Sequence, residues 1–168
     1  TRLLTVTGVQ TCALPILMAA PLKVGDRLAS FTREIEEQKM ILFERVVWDR
    51  GSNSHSDPEA AKRDGMSKVI ASGQNQMAFY HELLERNFGD AWVYGGRISA
   101  RYIHPVYPGD RLTPHGEVTE VAEVDGKPLV IVKLWVEKQD GTKSSVGTAW
   151  AGQPSDRKST RLNSSHSQ

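Results

Sequence analysis

The sequence predicts an α+β fold in which an antiparallel β-sheet wraps around one central helix, at about residues 74–87. Apolar residues recur at helical spacing across that stretch. Beyond residue 92 the pattern changes to β-type runs, and two of the turns between them are Asp-Gly pairs, a strong hairpin signal. One buried helix followed by hairpins is typical of a helix laid on a curled sheet.

Composition limits the classes of protein. A chain of 168 residues suits one domain. No apolar run approaches the roughly 20 residues that a membrane-spanning helix requires, so no membrane association is expected. The formal net charge of +1 gives no support to nucleic-acid binding. We therefore expect a cytoplasmic enzyme or binding domain.

Both ends of the chain lack the patterns of the middle. Residues 1–17 and 157–168 resemble translated sequencing-adapter sequence, a common contaminant of metagenomic assemblies, and we predict that they are non-native flanks around a single domain at 18–156. A short secretion signal is the alternative for the first flank. The flanks hold four of the 21 basic residues, which leaves 17 against 20 acidic ones and a net charge of −3. The single cysteine, Cys12, also lies there, so the domain itself has no disulfide.

The first half of the domain predicts one strand and two helices. Residues 29–35 alternate weakly and could form a strand. Residues 36–48 begin with two glutamates and carry apolar residues at helical spacing, which favours a helix; a strand is the rival interpretation because Val46, Val47 and Trp48 are β-prone. Asp57 and Pro58 are typical of a helix start, and Gly65 of its end.

The second half predicts the sheet. Strands are expected at 98–104, 112–124, 129–137 and 143–151. Asp125-Gly126 and Asp140-Gly141 are the expected hairpin turns. Gly95-Gly96 is interpreted as a bare turn and not as a nucleotide-binding fingerprint.

A polar loop precedes the central helix and is the candidate site. It contains Asp49, Asn53, His55 and Asp57, and the helix begins just after Ser72-Gly73. A histidine with a carboxylate can move protons around one water molecule. Backbone N–H groups at a helix start can stabilise an oxyanion. Each residue also has a purely local interpretation: a hydrogen-bonding loop histidine, an Asx turn for Asn53, a helix N-cap for Asp57 and a turn for Asp49.

Four motifs in order resemble one family. They are Val24-Gly25-Asp26, the stretch 55–61 beginning at His55, Ala71-Ser72-Gly73, and the stretch 105–110 ending in Pro-Gly-Asp. Together they are similar to the MaoC-like acyl-CoA dehydratases (R-specific enoyl-CoA hydratases) of the hot-dog fold, and the resemblance covers about residues 23–151.

The resemblance implies a dimer with a thioester tunnel near its interface. The family's catalytic loop reads D-x-N-P-x-H, with the Asp and His as the working pair. His55 matches well. Asp49 lies six residues before it instead of five, Asn53 two instead of three, and the Pro is missing. The acid that works with His55 is therefore open.

The resulting functional hypothesis is reversible hydration of a trans-2-enoyl-CoA to an (R)-3-hydroxyacyl-CoA. The candidate catalytic residues are His55, Asp49 and Asn53; the oxyanion and substrate-binding residues are Ser72, Gly73 and Gln74; the possible substrate contacts are Asp57, Met77, Tyr80 and His104. We expect no metal, no cofactor other than the coenzyme A of the substrate, no nucleic-acid partner, and a homodimer or dimer of dimers. Two alternatives are a hot-dog thioesterase that uses Glu82 or Glu85, and a non-catalytic acyl-CoA-binding subunit.

Overall fold

A computed structural model describes residues 21–47 and 51–154. In chain order its elements are β1 (Arg33–Glu34), α1 (Glu37–Val47), α2 (Pro58–Arg63), α3 (Gly73–Phe88), α4 (Asp90–Gly95), β2 (Arg97–Tyr102), β3 (Arg111–Val124), β4 (Lys127–Lys138) and β5 (Lys143–Gly152).

The five strands form one antiparallel sheet in the order β1-β3-β4-β5-β2. The hairpin between β3 and β4 turns at Asp125 and Gly126, with φ angles of 52° and 72°. Two consecutive positive φ values define the turn whose twist matches that of the flanking strands. The predicted meander is confirmed, and β2 joins it at the far edge.

Helix α3 lies across the inner face of this sheet. Tyr80, Leu83 and Leu84 on the helix are fully buried. They meet alternate residues of the sheet, which are also fully buried: Val130, Val132, Leu134, Val136, Ala149 and Ala151. This one core confirms the predicted α+β architecture, with the central helix one residue longer at each end than expected.

A buried amide fixes the last turn of α3. The side chain of Asn87 donates to the carbonyls of Leu83 (2.7 Å) and Ala29 (3.1 Å), and accepts from the Ala29 amide (2.8 Å). These bonds tie the chain before β1 to the helix, so every polar atom of the buried carboxamide contributes to the fold.

The first predicted strand is shorter than expected. Only Arg33–Glu34 pair with β3 as a continuous strand. The Leu28 amide still donates to the Gly116 carbonyl of β3, but both backbone groups of Ala29 bond to the Asn87 side chain, which interrupts the pairing. The helical interpretation of residues 36–48 is confirmed over Glu37–Val47, and the strand alternative is wrong.

Helix α4 was not predicted. Gly89, at φ 56°, ends α3 and at once begins this six-residue helix. Trp92 anchors it in the core at 6% exposure. A Cβ at Gly96 would lie 2.0 Å from the Trp92 ring, so a glycine is required there by packing. The interpretation of Gly95-Gly96 as a bare turn is therefore wrong: the pair closes α4.

None of the helices described over 21–47 and 51–154 is long and apolar enough to cross a membrane.

Candidate active site

The loop that carries His55 is organised by its own backbone. The Asn53 carbonyl accepts from the amides of Ser56 (3.0 Å) and Asp57 (2.9 Å). The Asn53 side-chain oxygen accepts from the His55 amide at 2.8 Å, which is an Asx turn. Asn53 thus shapes the loop that holds His55; a part in catalysis stays a prediction.

Among the described residues, the His55 imidazole has one hydrogen-bond partner. Its Nδ1 lies 3.0 Å from the Ile70 carbonyl oxygen. A carbonyl can only accept, so Nδ1 donates in this contact, and the neutral ring then has its lone pair on Nε2. The half-buried ring therefore presents a base to the space in front of it.

The same contact brings the loop to the start of α3. The Ile70 amide donates to the Ser54 carbonyl at 3.1 Å, so the loop and the connector after α2 are joined on both sides of His55. Only Ala71 separates Ile70 from Ser72, the N-cap of α3. The structure thus brings together the two features that the sequence predicted, a histidine base and a helix N-terminus.

The first turn of α3 has two backbone donors without an acceptor among residues 21–47 and 51–154. Ser72 is buried, and its Oγ accepts from the Asn75 amide at 3.2 Å. The Gln76 amide makes the first bond along the helix, to the Ser72 carbonyl. First-turn N–H groups have no partner within a helix. The amides of Gly73 and Gln74 remain as donors that could bind an anionic oxygen.

Gly73 is in contact with an aromatic ring that the sequence analysis did not single out. A Cβ at Gly73 would lie 2.7 Å from Cε2 of Tyr102, at the end of β2. Tyr102 is 39% exposed, and burial of part of its ring raises the pKa of its hydroxyl. Gly73 therefore makes room for the Tyr102 ring. This contact could not be predicted from the sequence because the two residues are 29 positions apart.

Asp57 serves as the N-cap of α2, as predicted. One carboxylate oxygen accepts from the Glu59 amide at 2.8 Å and the other from the Ser52 hydroxyl. The Ser52 hydrogen bond, with that from Glu59, lowers the pKa of Asp57. The group is an ionised cap, and its suggested contact with substrate stays a prediction. Asp49, the other candidate acid, lies outside the described residues.

The other candidate contacts lie in different settings. Met77 is half-buried on α3. Tyr80 is fully buried and its hydroxyl is 2.9 Å from the Ser145 hydroxyl; burial raises the pKa of Tyr80 to about 12. His104 is exposed, with Nδ1 2.8 Å from the Lys143 carbonyl oxygen. The structure places Tyr80 in the core below the helix start and His104 at the surface.

A cavity of about 480 Å³ lies on the other side of the His55 loop. Among the residues that line it are Glu44 of α1, Asn53 and Asp57. Glu44 is only 5% exposed, and its Oε1 has no hydrogen-bond partner among the described residues. Sequence reasoning passed over this acid because a glutamate on a short amphipathic helix is usually solvent-exposed.

The comparisons with solved structures identify the fold. The R-hydratase PhaJ1 from Pseudomonas aeruginosa superposes with a TM-score of 0.65 at 26% identity, over 80% of this chain and 84% of that one. The (R)-hydratase from A. caviae involved in PHA biosynthesis gives 0.63 at 22%, over 77% and 96%. The ChsH1-ChsH2 complex from Mycobacterium tuberculosis gives 0.62 at 20%, over 80% and 98%. A comparison with functionally curated proteins gave no match. The protein has a hot-dog fold.

The family follows from the sequence match. The MaoC like domain family matches residues 22–139, about 70% of the chain, which contain the four helices and four of the five strands described above. The chain belongs to this family of hot-dog dehydratases. The predicted family resemblance is confirmed; the adapter origin proposed for the flanks, and the domain limits at 18 and 156, stay predictions.

Proposed function

We propose that the protein is a hydro-lyase that reversibly hydrates a trans-2-enoyl-CoA to an (R)-3-hydroxyacyl-CoA. The observation that carries the proposal is the Nδ1 contact of His55 with the Ile70 carbonyl, which selects the neutral tautomer with its lone pair on Nε2 and ties His55 to the residue two positions before the N-cap of α3. Membership in the MaoC-like family and the likeness to an R-hydratase support it.

His55 would act as the base in the hydration direction. Its Nε2 takes a proton from a water molecule as the water oxygen bonds to C3 of the enoyl group. The C2–C3 π electrons move toward the thioester carbonyl, whose oxygen gains negative charge. The amides of Gly73 and Gln74 would donate to that oxygen. An acid then returns one proton to C2, so one water is added across the double bond.

The acid is assigned from its chemistry and from the family's sequence pattern, not from a location in the structure. Asp49 is the proposed acid because it occupies the place nearest to the family's aspartate. Asp57 is the weaker candidate, since its two oxygens already accept hydrogen bonds and its pKa is lowered, which disfavours the protonated form that an acid needs.

The test is turnover of crotonyl-CoA followed by loss of the enoyl absorbance, with a thiol reagent present. His55→Ala is expected to lower kcat by about 10²- to 10⁴-fold, the usual contribution of a general base, with an unchanged melting temperature. His81→Ala is the matched control, because His81 is an exposed histidine of α3 whose ring is tilted by 51° against that of Trp92, with the ring centres 5.4 Å apart. Turnover of His55→Ala at the rate of the control would refute the site.

The same assay separates the alternatives. Release of free thiol would indicate a thioesterase. Its candidate carboxylate Glu82 is held by Arg33 and Arg86, each at 2.5 Å, which makes it a poor nucleophile or base. Stabilisation by acyl-CoA without any turnover would indicate a binding subunit.

We also propose that the protein assembles as a homodimer or dimer of dimers. Strand β2 pairs only with β5 among the described elements and so offers a free edge. Tyr102 and Ile103 at the end of this strand are 39% and 41% exposed. Pairing of two β2 edges would cover these residues and bring a second copy beside Gly73.

A further inference from the structure

Gln76 is a buried amide that the fold does not use. It lies in the first turns of α3 and is only 3% exposed. Its Oε1 has no hydrogen-bond partner among the described residues. A buried acceptor without a donor destabilises a protein, and each such group in a folded domain calls for an explanation.

Asn87 shows what a structural amide looks like on this helix. It is equally buried, at 3% exposure, and lies eleven residues further along. Its side chain makes three hydrogen bonds to backbone groups. The chain thus satisfies one buried carboxamide of α3 completely and leaves the oxygen of the other without a donor.

The surroundings of Gln76 follow from the helix and sheet geometry. Gln76 precedes Tyr80 by four residues and so lies on the same helix face, one turn closer to Gly73. The Tyr80 hydroxyl contacts the Ser145 hydroxyl of β5. Ser144 is the preceding residue of β5. Its carbonyl accepts hydrogen bonds from the amides of Ile103 and His104, which follow β2. The segment after β2 in turn reaches the connector before α3, where the Ala71 amide bonds to the Val106 carbonyl. Gln76 and Ser144 are thus each next to one member of the Tyr80–Ser145 hydrogen bond, Gln76 by one helical turn and Ser144 by one position in the chain.

Ser144 has the same unusual property. It is fully buried, and its Oγ has no partner among the described residues. It is the unopposed residue at the point where the register of β4 and β5 shifts between Val136 and Glu137. Bulges of this kind commonly redirect a side chain near a functional site. Two buried polar groups without a partner among the described residues thus adjoin the Tyr80–Ser145 pair.

The chemistry of the pair selects a ligand group. The oxygen of Gln76 requires a donor, and the Ser144 hydroxyl can donate or accept. A hydroxyl group satisfies both at once, whereas an alkyl chain satisfies neither. We propose, building on the proposed hydration of enoyl thioesters, that Gln76 and Ser144 form a polar subsite for a hydroxyl group on the acyl chain. The preferred substrates are then enoyl thioesters that carry a hydroxyl beyond C3.

The first test compares matched substrates. Wild-type protein is assayed with 2-hexenoyl-CoA and its 4-, 5- and 6-hydroxy derivatives. A higher kcat/KM is expected for one derivative by about five- to tenfold, the value of one or two hydrogen bonds. Gln76→Met, which keeps the side-chain volume but not the hydrogen bonds, and Ser144→Ala should each reduce that preference, leaving 2-hexenoyl-CoA turnover within about twofold. Equal rates for all four substrates in the wild type, or an unchanged preference in both variants, would overturn the subsite.

Thermal unfolding provides a readout that a structural role would not give. Gln76→Met should melt at or above the wild-type temperature because it removes an unpaired acceptor. Asn87→Leu, the matched change at the satisfied amide, should melt several degrees lower. A comparable loss for Gln76→Met would show that Gln76 supports the fold and would refute the subsite.

Binding separates this inference from the function on which it rests. Calorimetry with hexanoyl-CoA and its hydroxylated derivatives needs no turnover. Failure to hydrate any enoyl-CoA would overturn the proposed reaction. A binding preference for a hydroxylated thioester would still support the subsite in that case. Equal binding with active hydration would overturn the subsite alone.

Discussion

At the residue scale, the Pro-Gly-Asp motif at 108–110 has a clear structural reason. The Asp110 carboxylate accepts from the Tyr107 amide at 2.8 Å, from Lys138 at 2.8 Å and from Gln139 at 3.1 Å. Gly109 takes a φ of 90°, which closes the turn. The motif thus joins the start of β3 to the end of β4, and its resemblance to the family reflects the fold.

The same carboxylate predicts a dependence of stability on pH. Burial alone would raise the pKa of Asp110, but the hydrogen bonds from Lys138, Tyr107 and Gln139 together lower it below 3.8. A depressed pKa means that the stabilisation is present above about 3.8 and is lost as the pH falls through the folded-state value. Asp110→Asn should lower the free energy of unfolding by about 2 kcal/mol near pH 7, because the charge-assisted hydrogen bonds of the carboxylate with Lys138 and the Tyr107 amide are lost.

Urea unfolding at several pH values measures this effect. The difference between wild type and Asp110→Asn should narrow as the pH is lowered below about 4. Asp26→Asn provides a comparison, since its carboxylate bonds only the exposed Lys23 amide at 2.9 Å. A pH-independent difference for Asp110→Asn would contradict the assignment.

At the element scale, the start of α3 combines a helix terminus with a ring from the sheet. Tyr102 belongs to the edge strand and is partly exposed, so its ring can move when a Cβ is added at Gly73. Helix propensity gains about 1 kcal/mol from the change to alanine, which offsets part of the displacement. The effects of Gly73→Ala on the free energy of unfolding and on kcat can therefore be measured separately.

Gly73→Ala should change the free energy of unfolding by about 1 kcal/mol or less and lower kcat by about 10²-fold, because the methyl group adjoins the proposed oxyanion donors. In the Gly73→Ala/Tyr102→Ala double variant the contact with the ring is removed, but the methyl group remains. Denaturation and crotonyl-CoA turnover of the two singles and the double measure the coupling. Recovery of turnover in the double variant would show that Gly73→Ala lowers kcat by displacing the Tyr102 ring and not by blocking access to the amides.

Local signals account for what the sequence predicted at this scale. The Asp57 cap, the helix start at Ser72 and the Asp125-Gly126 turn each depend on neighbours within a few residues, and each is found in the structure. The ring of Tyr102 on Gly73 and the burial of Glu44 depend on long-range packing, which one sequence does not reveal. Helix α4 was missed because its six residues are too few to show a period.

At the scale of the whole molecule, the free edge of β2 predicts self-association. The chain has a mass of 18.6 kDa. Light scattering during size exclusion should give about twice or four times this mass at micromolar concentration. A monomer mass at every concentration, with full hydratase activity, would contradict the proposed homodimer.

The fold as a whole was predictable because apolar residues recur with a clear helical period in α3 and with a different, strand-like period in the meander. The core requires both, since α3 fills the concave face of the sheet. The candidate site was predictable from the sequence only as far as the His55 loop and the helix start, because the loop differs by one residue from the family pattern. The acid partner and the acyl group depend on geometry that this spacing does not determine.

The two ends of the described domain are hydrogen-bonded to each other. The Leu22 amide donates to the Gln153 side-chain oxygen and the Gln153 amide group donates back to the Leu22 carbonyl, both at 2.9 Å. Residues 131 positions apart in the chain are therefore neighbours in space. A short linker from Gln153 to Leu22, with new termini opened at the Asp125-Gly126 turn, should yield a circular permutant with the same sheet order. Such a permutant would place the chain ends at the tip of the longest hairpin, away from the His55 loop, and offer a site for fusing another domain.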